Sequence, residues 1–149
     1  MPELAGTPAP RYVFANHGDY AYGRFVLDDA SRAAVIADVG SGTDPFLRAL
    51  LLDALWDEVR DARLAPLAYI DHTLAQAPRE TDELTVASLV GRTQTALRWY
   101  LSDAQRAQVA ARVEAAFVAG MTDAADKVSG SPTSARSSAR PRPPRRARL

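Results

Sequence analysis

Between Pro45 and Leu64 the apolar positions Leu47, Leu51, Leu55 and Val59 recur every four residues, with Leu50 and Leu52 beside them. Arg48, Asp53, Asp57, Arg60 and Asp61 take the remaining surface. A four-residue period is close to one helical turn, so the run predicts an amphipathic helix with a wide apolar face. Asp44 stands as its cap and Pro45 at its first position, where the missing N–H costs nothing. After a turn at Ala65 and Pro66, the positions Leu67, Ile70, Leu74 and Ala77 mark one face of a second helix, which Pro78 stops. His72, beside Asp71, falls on its polar face. A third helix carries Asp82 and Glu83 in its first turn, where they favour the helix dipole, and aligns Val86, Val90, Leu97 and Leu101. The fourth opens on a capping box formed by Ser102 and Gln105, buries Val109, Val113, Ala116 and Phe117, and stops at Gly120. A shorter helix precedes them all, capped in the stretch from Asp28 to Ser31 and closed by Gly40 and Gly42.

Ahead of Asp29 the pattern changes. "RYVFAN" and "YAYGRFVLD" are rich in Tyr, Val and Phe, and "NHGD" between them supplies turn chemistry, so the stretch predicts a β-hairpin or two strands. Past residue 128 it changes again. Residues 129–149 hold six Arg and no acid among Ser, Pro and Ala. Such a segment buries too little to offset its ordering entropy and reads as a disordered tail.

These readings divide the chain into a flexible N-terminus at 1–11, β-strands at 12–28, a helical repeat-like domain at 29–128 and the tail at 129–149. The two long helices starting at Pro45 and Asp82 lie 37 residues apart. That is the spacing of α-solenoid repeats built from antiparallel helix pairs, such as HEAT arrays. The expected fold is therefore mainly α: helix pairs of a solenoid, preceded by a short hairpin or two strands, which the resemblance described below would make the edge strands of a sandwich. Two repeats fall short of the three or more that such arrays usually need.

Composition narrows the function. The chain has 149 residues, enough for one domain with a core, and no Cys, which excludes disulfides and thiolate metal sites. No signal-peptide pattern and no run approaching a membrane span are present, so the expectation is a cytoplasmic chain with no membrane partner. The formal net charge of zero conceals an asymmetry. Outside the tail, twelve basic residues face all eighteen acids, a net charge of −6. Clustered Arg attracts phosphate, but no aromatic interleaves the tail's arginines to stack on bases, and nucleic acid is set aside as a partner.

Chemistry is scarce. A catalytic zinc needs three ligands, commonly two His four apart on a helix with a Glu between them. Here His17 and His72 lie on different elements, and both read as surface residues. The serines sit in caps or the tail, with no nucleophile elbow, and "GSG" at 40–42 lacks the Lys of a phosphate-binding loop. Asp57, Glu58, Asp61, Glu80 and Asp82 read as solvated carboxylates, and Trp56, Trp99 and Tyr100 as core or inter-helix packing. Asp53, Asp57 and Arg60 can pair along their helix. No catalytic, cofactor-binding or metal-binding residue is expected in this chain.

Three linked stretches nevertheless resemble a known family. "VFANHGDYAYGRFVLDDAS", "DPFLRALLLDALWDEVRDARLAPLAYID" and "PRETDELTVASLVGRTQTALRWYL" are similar, in order and spacing, to the C-terminal helical region of bacterial aminopeptidase N-like zinc metallopeptidases, the gluzincin aminopeptidases. The likeness covers about residues 12–118. It rests on Asn16, Asp19, Tyr22, Leu27 and Asp28 at a passage from a small β-sandwich into helices. Arg48, Ala49, Leu50, Leu55, Trp56, Asp57, Arg60 and Asp61 resemble the family's first long helix, and Glu80, Thr81 and Asp82 an inter-helix turn. The resemblance implies a bowl of helices covering the active-site cavity of a peptide hydrolase. The zinc, held by a His-Glu-x-x-His helix, and the Gly-x-Met-x-Asn segment that grips the substrate amine belong to another part of such an enzyme. Neither motif occurs here. The implied partners are the catalytic part of a parent aminopeptidase and, only in the complete enzyme, a peptide substrate. The chain then reads as a severed fragment. The alternative is a stand-alone helical adaptor that binds a protein, or an anionic partner through its Arg-rich tail.

Overall fold

The computed structural model describes residues 6–129, with side chains as far as residue 121. The expected tail at 129–149 therefore falls almost wholly outside the described residues. The helices are α1 (Asp29–Asp38), α2 (Pro45–Arg60), α3 (Pro66–Gln76), α4 (Glu83–Trp99) and α5 (Asp103–Ser129), with short 3₁₀ turns at Val39–Ser41 and Ala77–Arg79. The chain divides into two compact units, Met1–Ala111 and Arg112–Leu149. The second is described only as the α5 segment up to Ser129.

Four of the helices begin where the sequence supplies a side-chain partner for the unpaired amides of the first turn, while α3 follows Ala65 with no side-chain cap. Asp28 accepts from Ser31 N, Asp44 from Phe46 N and Leu47 N, and Asp82 from Thr85 N. Ser102 and Gln105 form the expected capping box, with Ser102 N donating to Gln105 Oε1 at 3.0 Å and Gln105 N to Ser102 Oγ at 3.3 Å. Pro45 and Pro66 sit at the starts of α2 and α3. The end of α2 is less ordinary. Ala62 takes a left-handed φ of 57°, its N–H returns to Val59 O, and Arg63 N returns to Glu58 O at 2.8 Å. This is the Schellman arrangement, with Ala where glycine normally stands.

Leu51, Leu52, Leu55 and Val59 of α2 are buried together with Leu27, Val35, Val39, Leu64, Tyr69 and Leu89. A fully buried Leu such as Leu55 contributes roughly 1.5–3 kcal/mol of transfer free energy. α3 contacts both α2 and α4.

The structure differs from the sequence expectation at several elements. Among the described residues there is no strand. The N-terminal segment still follows a turn, and Phe14 meets Phe25 edge to face across it, with ring centroids 6.5 Å apart. Its backbone closes one turn, Asp19 N donating to Asn16 O at 3.0 Å, but its extended parts bond to helix side chains: Val13 N donates to Ser31 Oγ at 2.9 Å and Leu27 N to Glu58 Oε1 at 3.2 Å. Side-chain acceptors on α1 and α2 thus replace a ladder.

The buried face of α4 is Thr85, Leu89, Thr93 and Ala96, while Val86, Val90 and Leu97 are half-buried. That centre is turned by one residue, about 100°, from the expected stripe. Small Ala and the methyl-bearing Thr form the side of α4 that packs inward. α3, enclosed by two neighbours, buries Tyr69, Ile70, His72, Thr73 and Gln76, so its polar face is also inside. α5 passes through Gly120, which does not end it.

Candidate functional site

The chemistry-bearing groups of the first unit gather at two buried carboxylates. Both come from residues that the sequence reading left in solvent. Glu58 lies on the apolar side of α2, at helical spacing from Leu51 and Leu55, and its side chain is 1% exposed. Its Oε1 accepts from Leu27 N, and its Oε2 accepts from Arg32 Nη1 and Arg63 Nε, both at 2.9 Å. Arg32 is further tied to Asp29. One carboxylate thereby joins the N-terminal segment, α1, α2 and the turn after α2.

Glu80 follows the 3₁₀ turn after α3, with a side chain that has no solvent exposure. Arg48 of α2 grips it bidentately, Nε to Oε2 at 2.6 Å and Nη2 to Oε1 at 2.8 Å, the geometry that a planar guanidinium matches best. Thr81 N and Asp82 N donate to the same Oε1. The Arg48 bonds and the two amides hold the Glu80 carboxyl down at about 2, against the cost of burial. Arg48 also donates to Gly42 O, which fixes the turn ahead of α2.

Neither carboxylate is arranged for acid–base work. A group held at about 2 carries no proton to donate near neutral pH, and its oxygens are already engaged. Both are joints between elements.

The other candidates spread around these joints. Asn16 closes the N-terminal turn: its Nδ2 donates to Asp19 Oδ1 at 2.9 Å and to Ala21 O, and its Oδ1 accepts from Ala21 N. Gly18, φ +88°, permits this path, and a Cβ there would lie 2.6 Å from the Tyr20 ring. Leu27 is core and Asp28 caps α1. Asp57 pairs with Arg60 at 3.1 Å, and Asp61 pairs with Arg24. Asp53 pairs with Arg92.

Trp56 packs on Tyr69 and Tyr100 with centroids 5.2 and 5.8 Å away. Trp99, expected to pack between helices, is 71% exposed and lies under the Arg98 guanidinium. It is the last residue of α4, beyond the buried stripe that ends at Ala96. Tyr22 is fully exposed.

His72, expected on the surface, is buried because α3 is enclosed on both sides. Its Nε2 has no hydrogen-bond partner. Among the described residues no group of three His, Asp or Glu could hold a metal ion, and a zinc does not fit the donors present. No described helix is long and apolar enough to cross a membrane.

Glu58 had a signal in the sequence, since its spacing places it within the apolar stripe. Its partner Arg32 had none, because it converges only in three dimensions, while Arg63 lies just past the end of the same helix.

Comparison with known proteins gives one informative likeness. The chain is similar to Aminopeptidase N of Streptomyces lividans, at 32% identity over 106 residues. The matched stretch is 71% of this chain and 12% of that protein, so the chain spans only a small part of the relative's length. The relation to aminopeptidase N is accordingly distant and partial. No family profile matches the chain, and no solved structure matches it.

Proposed function

We propose that this chain is a helical wall segment of an aminopeptidase N-like zinc peptidase, a non-catalytic part of the C-terminal region that covers the active-site cavity and limits which peptides enter. The observation that carries this reading is the similarity to aminopeptidase N across 71% of the chain. The roles of the residues that carry the resemblance support it. Asn16 and Asp19 close a turn, Asp28 caps α1, Arg48 grips Glu80, and Leu27 and Leu55 fill the core. Residues in such roles hold a scaffold together and do not form a reaction centre.

In this reading α2–α3 and α4–α5 are two repeats of a helical array. The preceding segment adjoins a β-sandwich of the parent protein, and zinc, general base and amine-binding groups are supplied by its catalytic part. The peptide substrate belongs to the complete enzyme.

The test is a chimera. The segment of the Streptomyces lividans aminopeptidase N that matches this chain is replaced by the 106 matched residues, and hydrolysis of aminoacyl arylamides and of peptides of increasing length is measured. The expected result is a folded enzyme that retains arylamide hydrolysis and changes its preference for longer peptides. A chimera that folds but treats every peptide length as the parent does would remove the wall role.

A further inference from the structure

The C-terminal end of α1 and the Val39–Ser41 turn rest on one face of α3 at two points, one turn apart. The first is Gln76, buried, whose side chain comes so close to Gly40 that a Cβ there would lie 2.5 Å from Gln76 Oε1. The second is His72. Its ring meets the backbone carbonyl of Ile36, which stands in the last turn of α1, where carbonyls lack intrahelical partners. The ring's other nitrogen, Nε2, is buried and faces no acceptor.

We infer that His72 is an acid-sensitive latch: neutral, it seats the end of α1 on α3, and on protonation it loosens that seat. The neutral imidazole needs only one donor, and the Ile36 carbonyl satisfies it. Protonation adds an N–H at Nε2 that has nothing to bond, together with a charge in an apolar setting. The carbonyl end of α1 favours a cation, but burial is the larger influence and pushes the His72 imidazole below its ordinary value of 6.5.

The charged groups on the surrounding elements do not offset this. On α1, Asp29 is bound to Arg32 and Asp38 to Arg11; beyond α3, Glu80 is bound to Arg48. Asp71, beside His72 on α3, is exposed and has an interaction of its own. The causes acting on His72 are burial and the Ile36 carbonyl alone.

The sign follows from proton linkage. A depressed native value means that the unfolded chain binds the extra proton, so stability is complete above about 6.5 and falls as pH drops through the native value. One proton changes the unfolding constant by up to about tenfold per pH unit in that window. This inference is independent of the relation to aminopeptidases.

The experiment is an NMR titration of the His72 imidazole in the full chain, with urea unfolding of the native protein and of His72→Gln between pH 7.5 and 5. The expected result is that His72 titrates clearly below 6.5, or stays neutral until the chain unfolds. Amide exchange at residues 36–41, corrected for its intrinsic pH dependence, should rise with protonation. The native unfolding constant should increase up to about tenfold more per pH unit than that of His72→Gln. Titration at or above 6.5, or parallel pH dependence in the two proteins, would overturn the latch. If His72→Gln does not fold, the titration and exchange on the native chain decide alone.

Discussion

Glu58 and Glu80 are both buried carboxylates clasped by arginine, but their neighbourhoods are built differently. Glu58 is held by groups that come from far along the chain, Leu27 N and Arg32, and by Arg63 beyond the end of its own helix. Glu80 takes two of its four bonds from the amides of the next two residues, and only Arg48 reaches it from a distance. The Glu80 joint is thus half made as soon as the turn before α4 forms. The Glu58 joint exists only when four segments have come together. A buried ion pair is not by itself a stabiliser, because desolvation offsets its attraction, but removal of one partner leaves the others stranded.

This contrast sets the order of expected effects. Glu58→Ala removes the acceptor of Leu27 N and strands Arg32, which is largely shielded from water, so urea denaturation should show a loss of about 3 kcal/mol. A loss below about 1 kcal/mol would mean that the arginines find water readily and that the joint is not truly dry. Arg48→Ala should cost less, about 2 kcal/mol by the same measurement, because Thr81 N and Asp82 N still satisfy part of Glu80. If Arg48→Ala proves worse than Glu58→Ala, local amides do not cushion a buried charge.

Acid sharpens the comparison. The Glu80 carboxyl falls from 4.5 to about 2 in the native state, so its contribution is complete above pH 4.5 and is lost as pH falls toward 2. Stability profiles between pH 2.5 and 5.5 should therefore be flatter for Glu80→Gln than for the native chain, and equal slopes would disprove the assignment.

Smaller effects probe the helix end that Glu58 helps to close. Ala62, at φ 57°, occupies the left-handed position after α2, while the Glu58 carbonyl accepts from Arg63 N and Leu64 N. Ala62→Gly relieves that strain without touching the carboxylate and should raise stability by roughly 0.5–1 kcal/mol in thermal or urea unfolding. At the far end of the scale, Asp57 and Arg60 pair three residues apart, with side chains 35% and 61% exposed. Arg60→Ala should change stability by no more than about 0.5 kcal/mol.

Much of the helical framework is legible in the sequence. The caps at Asp28, Asp44 and Asp82, the box at Ser102 and Gln105, and the prolines that open α2 and α3 act over three or four residues, and a local rule suffices to read them. The apolar stripe of α2 was equally plain. The face of α4 was not, because Thr85, Thr93 and Ala96 are ambiguous residues whose burial depends on what they meet. The hairpin expectation failed for a related reason: Tyr, Val and Phe favour extended backbone, but only the presence of Ser31 and Glu58 nearby determined that helix side chains would take its amides.

Among the candidate site residues, the solvated reading of Glu58 and Glu80 and the surface reading of His72 were overturned by enclosure. A carboxylate or imidazole shows its type in the sequence, while its partners and its access to water are properties of elements far apart along the chain. Period, capping and composition thus established a mainly helical chain, since those signals are local. Packing settled which charges are buried, how Arg32 and Arg48 come to neutralise them and where a histidine is left with one nitrogen unbonded, because those facts require segments 26 to 36 residues apart to converge.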